Sequence, residues 1–240
     1  MCSKRTSAEQ RQNEELRTMS ISESIKKIQS ELPPGVKLVA VSKFHPIERL
    51  MQAYDAGHRI FGESRVQEMV QKVPLMPADV EWHFIGHLQT NKVRQLLPNV
   101  SMIHSVDSLR LLQCINKEAA RIGKIVNVLL QVHVAQEQEK FGFSVDELEQ
   151  IASGTDDLAM SNVRICGLMA MATNTDDEAE IRSEFSRAHA VYEHLKHGAF
   201  SGNSSFCELS MGMSDDYPIA VDEGSTMVRI GTTIFGEREY

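Results

Sequence analysis

Apolar residues along the chain follow two alternating patterns. Short runs rich in β-branched residues, bounded by Gly, Pro, Asn or Asp, predict strands buried on both faces. Between them lie stretches whose apolar residues recur every three or four positions, which predicts amphipathic helices. The predicted strands are residues 36–44, 58–63, 81–86, 100–106, 125–134, 163–169, 206–209 and 227–230.

The order of these elements predicts the fold class. Each of the eight predicted strands is followed by a predicted helix, which indicates parallel βαβ units and an α/β fold. Eight such units fit a single closed (β/α)8 TIM barrel, and a doubly wound open sheet is the alternative. An extra N-terminal helix is predicted over 11–32, with Ile21 and Ile28 on its apolar stripe. We expect residues 1–10 to be frayed or disordered and residues 11–240 to form the barrel domain.

Composition and charge narrow the class of protein. Of the 240 residues, 42% are hydrophobic and 24% are charged, which is typical of a globular chain. The net charge of −8 argues against broad binding to nucleic acid or to an anionic membrane. No apolar run reaches the length of a membrane-spanning helix. The four cysteines are widely separated and no targeting segment is apparent, so we expect reduced thiols and a cytoplasmic protein.

Lys43 is the first candidate for chemistry. It lies at the end of the first predicted strand, and Pro46 opens the helix that follows. In sheets wrapped by helices, ligands bind at the carboxyl ends of the strands. An amine at the end of an apolar strand is partly desolvated, which favours its neutral, nucleophilic form. Lys43 is therefore a candidate Schiff-base lysine, and the alternative is a strand-end lysine whose head lies in water.

Polar residues also occur at or near the ends of the next four predicted strands. They are Glu63 and Ser64, His83 and His87, His104, and His133. Three interpretations of the histidines remain open. They are a metal site, core or capping histidines with satisfied hydrogen bonds, and hydrogen bonds to a ligand that Lys43 holds. The first strand carries no His-x-His, which weakens the metal interpretation.

Two loops rich in small residues follow the last two predicted strands. They are Ser210-Met211-Gly212-Met213-Ser214 and Arg229-Ile230-Gly231-Thr232-Thr233. Free N–H groups at a helix start bind anions, and barrels commonly hold phosphate between the loops after strands seven and eight. The two loops therefore predict a phosphate site. Tight turns and helix caps are the alternative use of these residues, and Asp215 and Asp216 fit that alternative.

A lysine that binds aldehydes and a phosphate site at the same mouth together suggest pyridoxal 5'-phosphate (PLP). Strands eight and one are neighbours in a closed barrel, so both features would face one ligand. Arg229 would then donate to the pyridine nitrogen and keep it unprotonated, because a guanidinium has no acceptor for a pyridinium N–H. A salt bridge to a neighbouring carboxylate is the alternative role for Arg229.

Several segments, taken together and in order, resemble the PLP homeostasis protein family over nearly the whole chain. They are Val39-Ala40-Val41-Ser42-Lys43, Phe61-Gly62-Glu63, Trp82-His83-Phe84-Ile85-Gly86, Gln89-Thr90-Asn91-Lys92, Lys140-Phe141-Gly142-Phe143, Gly167-Leu168-Met169, Leu209-Ser210-Met211-Gly212-Met213-Ser214-Asp215 and Gly224-Ser225-Thr226-Met227-Val228-Arg229-Ile230-Gly231-Thr232. This family is similar to the barrel half of alanine racemase.

The resemblance implies a set of cofactor-binding residues. They are Lys43 as the aldimine lysine, Ser214 and the backbone of Gly231 and Thr232 at the phosphate, Ser210, Met211 and Gly212 close by, and Arg229 at the pyridine nitrogen. The family usually has Asn and an aromatic residue where this chain has Ser64 and Arg65, and Asn where it has His133. Ser64, His83 and His133 are further candidates for contacts to the cofactor ring.

The resemblance also implies a carrier instead of an enzyme. Alanine racemase adds a second domain and a tyrosine base, whereas the barrel accounts for this chain and none of its four tyrosines falls in a matching motif. PLP carbanion chemistry needs a placed base and a site closed to water. We expect a non-catalytic protein of vitamin B6 homeostasis that carries or buffers PLP as a lysine aldimine and affects amino-acid metabolism indirectly. We expect it to be a monomer or weak homodimer, with PLP-dependent apo-enzymes as partners.

Two other functions remain open. One is a PLP-dependent amino-acid racemase in which Lys43 is its own base. The other is a Schiff-base aldolase on the same fold without PLP.

Overall fold

Eight parallel strands close a barrel in sequence order in the computed structural model, which describes residues 19–134, 142–153 and 160–236. The strands are β1 (Lys37–Val41), β2 (Ile60–Glu63), β3 (Glu81–Phe84), β4 (Met102–Val106), β5 (Val126–Gln131), β6 (Val163–Met169), β7 (Glu208–Ser210) and β8 (Met227–Ile230). Pairing of β1 with β8 completes the ring. The predicted (β/α)8 barrel is confirmed, and the open-sheet alternative is wrong.

Helices surround the barrel in the predicted order. They are α1 (Ile21–Glu31), α2 (Ile47–Asp55), α3 (Val66–Lys72), α4 (Val93–Leu96), α5 (Leu109–Arg121), α6 (Val145–Ser153), α7 (Glu178–His197), α8 (Tyr217–Asp222) and α9 (Thr232–Phe235). Within the described ranges, none of these helices has the length and apolar character needed to cross a bilayer.

The N-terminal helix is shorter than predicted. It begins at Ile21, because Ser20 forms a capping box with Glu23: Ser20 Oγ accepts from Glu23 N at 3.3 Å, and Glu23 Oε2 accepts from Ser20 N at 2.9 Å. The predicted start at residue 11 is therefore wrong at Met19 and Ser20, which lie outside the helix. Residues 11–18 and the predicted frayed segment 1–10 lie outside the described residues.

The region between β3 and β4 departs most from the prediction. A helix was expected over 87–97, but the structure has only four α-helical residues, flanked by 3₁₀ turns at Thr90–Lys92 and Leu97–Asn99. Pro98 lies in the second turn and has no N–H to continue an α-helix. His87 consequently lies in an irregular loop.

The barrel interior changes from apolar to polar towards the carboxyl ends of the strands. A small apolar cluster inside the ring consists of Val39, Met102, Leu129, Cys166, Met169 and Met227. Side chains two positions apart on a strand share a face, so His104 and Arg229 follow Met102 and Met227 on the inward side of β4 and β8. Leu38 and Ala40 of β1 belong instead to the larger core between barrel and helices. The interior therefore positions buried polar groups beneath the mouth.

Candidate functional site

Lys43 lies two residues beyond β1, in the turn that leads to α2, and is half-buried. The loop after β8 packs directly beside it. A Cβ atom added at Gly231 would lie 3.2 Å from both Cβ and the carbonyl oxygen of Val41. Lys43 and the predicted phosphate loop thus share one corner of the mouth, as expected from the neighbouring positions of β1 and β8.

A buried charged network underlies the backbone before Lys43. Lys72 Nζ, from α3, donates to Ser42 O at 2.7 Å, to Glu63 Oε1 at 2.8 Å and to Glu68 Oε1 at 2.7 Å. Ser42 Oγ also donates to Glu63 Oε1, at 2.6 Å. The turn that carries Lys43 is therefore tied to β2 and to α3.

The backbone after Lys43 is held by the same network. Phe44 has a φ of 68°, in the left-handed region that is costly for a bulky residue. Its N–H donates to Glu68 Oε1 at 2.6 Å, and the guanidinium of Arg65 lies 4.6 Å from the centre of its ring. These contacts fix the conformation that directs the chain away from β1.

Glu63 is the most perturbed carboxyl of this network. It is fully buried, and burial raises its pKa to about 7 although Lys72 and Ser42 favour the charged form. Its second oxygen, Oε2, is buried without a hydrogen-bond partner. Lys72 was not a candidate from sequence, and the only signal for it was the i,i+4 spacing to Glu68.

Arg229 is buried inside the barrel and reaches across to two other strands. Its Nη1 donates to Ser210 O at 2.8 Å and to Ser210 Oγ at 2.7 Å, and its Nη2 donates to Ala170 O at 3.0 Å. These bonds use three of the five guanidinium N–H donors. Burial lowers the pKa of Arg229 to about 10, with Asp216 acting in the opposite direction, so it stays cationic at neutral pH. Its hydrogen-bond partners are a hydroxyl and carbonyls, in place of the carboxylate of the salt-bridge alternative.

His104 and His83 extend this arrangement into the barrel. His104 Nδ1 lies 3.1 Å from Ser210 Oγ, and His104 Nε2 lies 3.0 Å from His83 Nδ1. Burial lowers the pKa of His83 to about 3 and that of His104 well below its ordinary value, so both rings are neutral. His83, expected as a ring contact, is thus separated from Arg229 by Ser210 and His104. The hydrogen-bonded core interpretation describes both histidines.

The loops after β7 and β8 meet as predicted. Ser214 Oγ accepts from Gly231 N at 3.2 Å, and Thr232 begins α9 as an exposed residue. Gly212 has a φ of 94°, and an added Cβ would lie 2.6 Å from Ala220 Cβ, so this turn requires glycine.

Met211 and Asp216 support these loops from within. The Met211 side chain lies in the core between barrel and helices, and its N–H donates to Met227 O at 3.1 Å. The Met211 N–H therefore forms a hydrogen bond within the barrel backbone. Asp216 accepts from the N–H of Met213, which fits the capping alternative, and burial raises the pKa of its carboxyl.

Ser64 and His133, the departures from the family pattern, are half-buried residues in turns beyond β2 and β5. The backbone of Ser64 packs on Gly86, whose added Cβ would lie 2.2 Å from Ser64 O. His133 was predicted inside the fifth strand, but that strand ends at Gln131. The N–H of His133 donates to Phe143 O at 3.2 Å. These contacts are to neighbouring loops.

Among the described residues, no three His, Cys, Asp or Glu side chains come together as a metal site would require.

The fold and the residues at its mouth define a class of protein: a (β/α)8 barrel of the alanine racemase N-terminal type. A family model described as "Alanine racemase, N-terminal domain" matches residues 17–239. The pyridoxal phosphate homeostasis protein of Aquifex aeolicus is 38% identical over 205 residues, covering 85% of this chain and 88% of that relative. This chain belongs to the pyridoxal phosphate homeostasis protein family, which confirms the resemblance seen in its sequence.

Solved structures agree with this assignment. PipY of Synechococcus elongatus PCC7942 matches with a TM-score of 0.84 at 38% identity without PLP, and 0.81 at 37% identity with PLP bound. Each comparison covers 90% of this chain and 100% of PipY. An alanine racemase of Clostridium difficile 630 shares the fold alone, with a TM-score of 0.74 at 14% identity over 92% of this chain and 57% of the racemase.

Proposed function

We propose that this protein binds PLP at the mouth of its barrel and carries or buffers it, with Lys43 as the covalent attachment point. The observation that supports the proposal most is the packing of Gly231, which contacts Ser214, against Val41 at the end of Lys43's strand. It places the Lys43 turn next to the loops that we propose bind the phosphate. PipY, 37% identical, is solved with PLP bound, and the relatives are named for PLP homeostasis.

The residues of the mouth fit such a ligand. Arg229 has further N–H donors beyond the three bonded ones, which suits the unprotonated nitrogen of a pyridine ring. Ser214 Oγ and the backbone of Gly231 and Thr232 would hold the phosphate. Bound PLP would supply an aldehyde carbon, and Lys43 would hold the cofactor through its amine, with loss of one water on attachment.

An absorption titration tests this function. Adding PLP to the purified protein should produce a visible band, and borohydride should then fix a pyridoxyl mass on Lys43. Lys43→Ala should lose both signals. Lys26→Ala, at an exposed position of α1, is the matched control and should keep them. A visible band of full strength in Lys43→Ala would contradict the assignment.

We propose further that the protein is not itself a catalyst. Racemisation needs a base beside the ligand, but three tyrosines are engaged with other side chains. Tyr54 OH donates to Asp79 and Tyr217 OH to Glu31, while Tyr192 stacks on Phe206. Tyr240 lies outside the described residues.

A PLP-dependent racemase is the second candidate, favoured by the shared barrel. Chiral chromatography after incubation with L-alanine or L-serine separates the two, since turnover at ordinary enzyme rates would remove the carrier proposal.

The partners that we propose are PLP-dependent apo-enzymes. Met171 and Met213, on loops after β6 and β7, are 43% and 41% exposed beside the mouth and offer an adaptable apolar surface to a recipient. The cysteines within the described residues, Cys114, Cys166 and Cys207, are free thiols, which supports a reducing, cytoplasmic compartment. For the chain itself we propose a monomer or weak homodimer, which sedimentation velocity tests.

A further inference from the structure

The hydrogen bonds that begin at Arg229 have one arrangement in which the Ser210 hydroxyl both accepts and donates. A guanidinium only donates, so Ser210 Oγ accepts from Arg229 Nη1 at 2.7 Å. If Ser210 Oγ also accepted from His104, its own proton would lack an acceptor among the contacts of the described residues. The hydroxyl therefore donates to His104 Nδ1 at 3.1 Å. His104 therefore carries its own proton on Nε2 and donates it to His83 Nδ1 at 3.0 Å. By the same logic His83 is protonated on Nε2, which lies 3.9 Å from Glu81 Oε2.

This directed chain crosses the barrel interior from β8 through β7 and β4 to β3. Its four side chains are 5%, 0%, 0% and 4% exposed for Arg229, Ser210, His104 and His83. In such a weakly polar interior, reversing one of the two histidine bonds alone would set two like hydrogen-bonding groups against each other, and reversing both would leave the Ser210 hydroxyl proton without an acceptor. The chain is therefore a single hydrogen-bonded unit with one polarity that satisfies both Ser210 and His104.

We propose that His104 and His83 are positioning residues that fix Ser210 as an acceptor and thereby hold Arg229 as an oriented donor, so that the site selects a ligand ring with a hydrogen-bond acceptor. The proposal rests on the proposed function, since the ring nitrogen of PLP is that acceptor. Neither histidine needs to touch the ligand. Without His104, the Ser210 hydroxyl loses its acceptor and the guanidinium loses a fixed partner.

The first test uses the protein without ligand. Nitrogen-15 NMR of the histidine side chains reports which ring nitrogen carries the proton. His104 and His83 should both be neutral with the proton on Nε2. In Arg229→Leu the Ser210 hydroxyl is free to accept or donate, so the second tautomer of His104 should appear. A proton on Nδ1 of His104 in the unaltered protein would overturn the proposal, whatever the outcome of any PLP experiment.

The second test measures ligand selection. The probes are PLP and its 1-deaza analogue, in which a C–H replaces the ring nitrogen without changing the shape. The unaltered protein should bind the analogue at least roughly tenfold more weakly, because a buried charged donor is left unpaired. The difference in aldehyde reactivity between the probes cancels when the affinity ratio is compared among variants.

Three variants complete this test. His104→Leu should bring the ratio of affinities close to one, and His104→Asn, which keeps an acceptor oxygen and an N–H donor, should restore part of it. His197→Leu, at a surface position of α7 with a 75% exposed side chain, should leave the ratio unchanged. A folded His104→Leu protein with an unchanged ratio would refute the positioning role. Failure of the unaltered protein to bind PLP at all would refute the proposed function instead.

Discussion

At the scale of single residues, the sequence indicated the candidate residues at the strand ends but not the buried side chains that bond to them. Lys43 and Arg229 were candidates from sequence because Lys43 follows one apolar strand and Arg229 lies near the end of another, at a predictable edge of the barrel. Lys72 was not found, because its role depends on where α3 packs against β2. Its ammonium joins Glu63 and Glu68, which lie nine and four positions before it in the chain. The spacing to Glu68 is the i,i+4 spacing of a helix, but no periodicity links Lys72 to Glu63 on β2.

Removing Lys72 should therefore be costly. Lys72→Met would leave Glu63 and Glu68 without their cation in a buried site, and loss of one partner of a buried pair costs about 3–5 kcal/mol. Urea denaturation should show this loss, together with weaker PLP attachment at the adjacent turn. Lys26→Met on α1 should change stability little. A Lys72→Met protein as stable as its parent would mean that the network contributes nothing.

Glu63 should make stability fall as pH rises. Its folded-state pKa, about 7, lies above the ordinary glutamate value of 4.5, so the folded protein binds more protons than the unfolded chain between these values. Stability from this group is complete below about pH 4.5 and is lost as pH rises through 7. The free-energy difference between the parent and Glu63→Gln should fall by roughly 1–3 kcal/mol over that window. The difference cancels other groups such as His58, whose pKa is lowered by burial. A difference that is flat or that rises with pH would exclude this role.

At the scale of elements, order and type followed from the apolar pattern, but ends did not. The apolar residues Val132 and Val134 extended the predicted fifth strand to residue 134. Both side chains are buried, yet β5 ends at Gln131. Val132 N still donates to Met169 O of β6 at 2.9 Å, but the next residue, His133, donates its N–H to Phe143 O at 3.2 Å in place of continuing the β6 ladder. Apolar periodicity reports side-chain burial and does not report which backbone a residue pairs with. The predicted helix over 87–97 is likewise only partly formed. Of its buried apolar residues, Val93 and Leu96 lie in the four-residue α4, whereas Leu88 and Leu97 lie outside it.

The loop between β7 and α8 gives a prediction at this scale. In Gly212→Ala the new Cβ would meet Ala220 Cβ at 2.6 Å and Tyr217 Cα at 3.0 Å, on a backbone with φ of 94°. We expect a loss of about 2 kcal/mol or more in unfolding free energy, and weaker PLP binding because Ser214 shifts with the loop. Gly202→Ala is the control, since nothing lies within 4 Å of its added Cβ. Equal effects of the two substitutions would show that the turn at Gly212 does not depend on glycine.

At the scale of the whole molecule, the barrel was predictable because eight alternating units leave few ways to close a sheet. The polar chain inside it was not, because it joins residues far apart in sequence: His104 and Ser210 are separated by 106 positions. Their contact depends on strand register and on barrel closure together. In the sequence His83 and His104 are two isolated histidines, and only the closed barrel brings them into one hydrogen-bonded unit.

Lys43 and the proposed phosphate loops share one corner of the mouth but follow different strands, which predicts how PLP stabilises the whole protein. Lys43 follows β1, whereas the Ser214–Gly231 contact is formed by loops after β7 and β8. Binding at 100 times Kd adds about 2.7 kcal/mol, which for a chain of this size raises Tm by roughly 5–10 °C. Lys43→Ala should keep part of this increase through the phosphate and ring contacts, and pyridoxal, which lacks the phosphate, should give the parent protein a much smaller one. Differential scanning fluorimetry measures both, and because the two ligands share the aldehyde, equal shifts for PLP and pyridoxal would remove the phosphate role from these loops while leaving Lys43 in place.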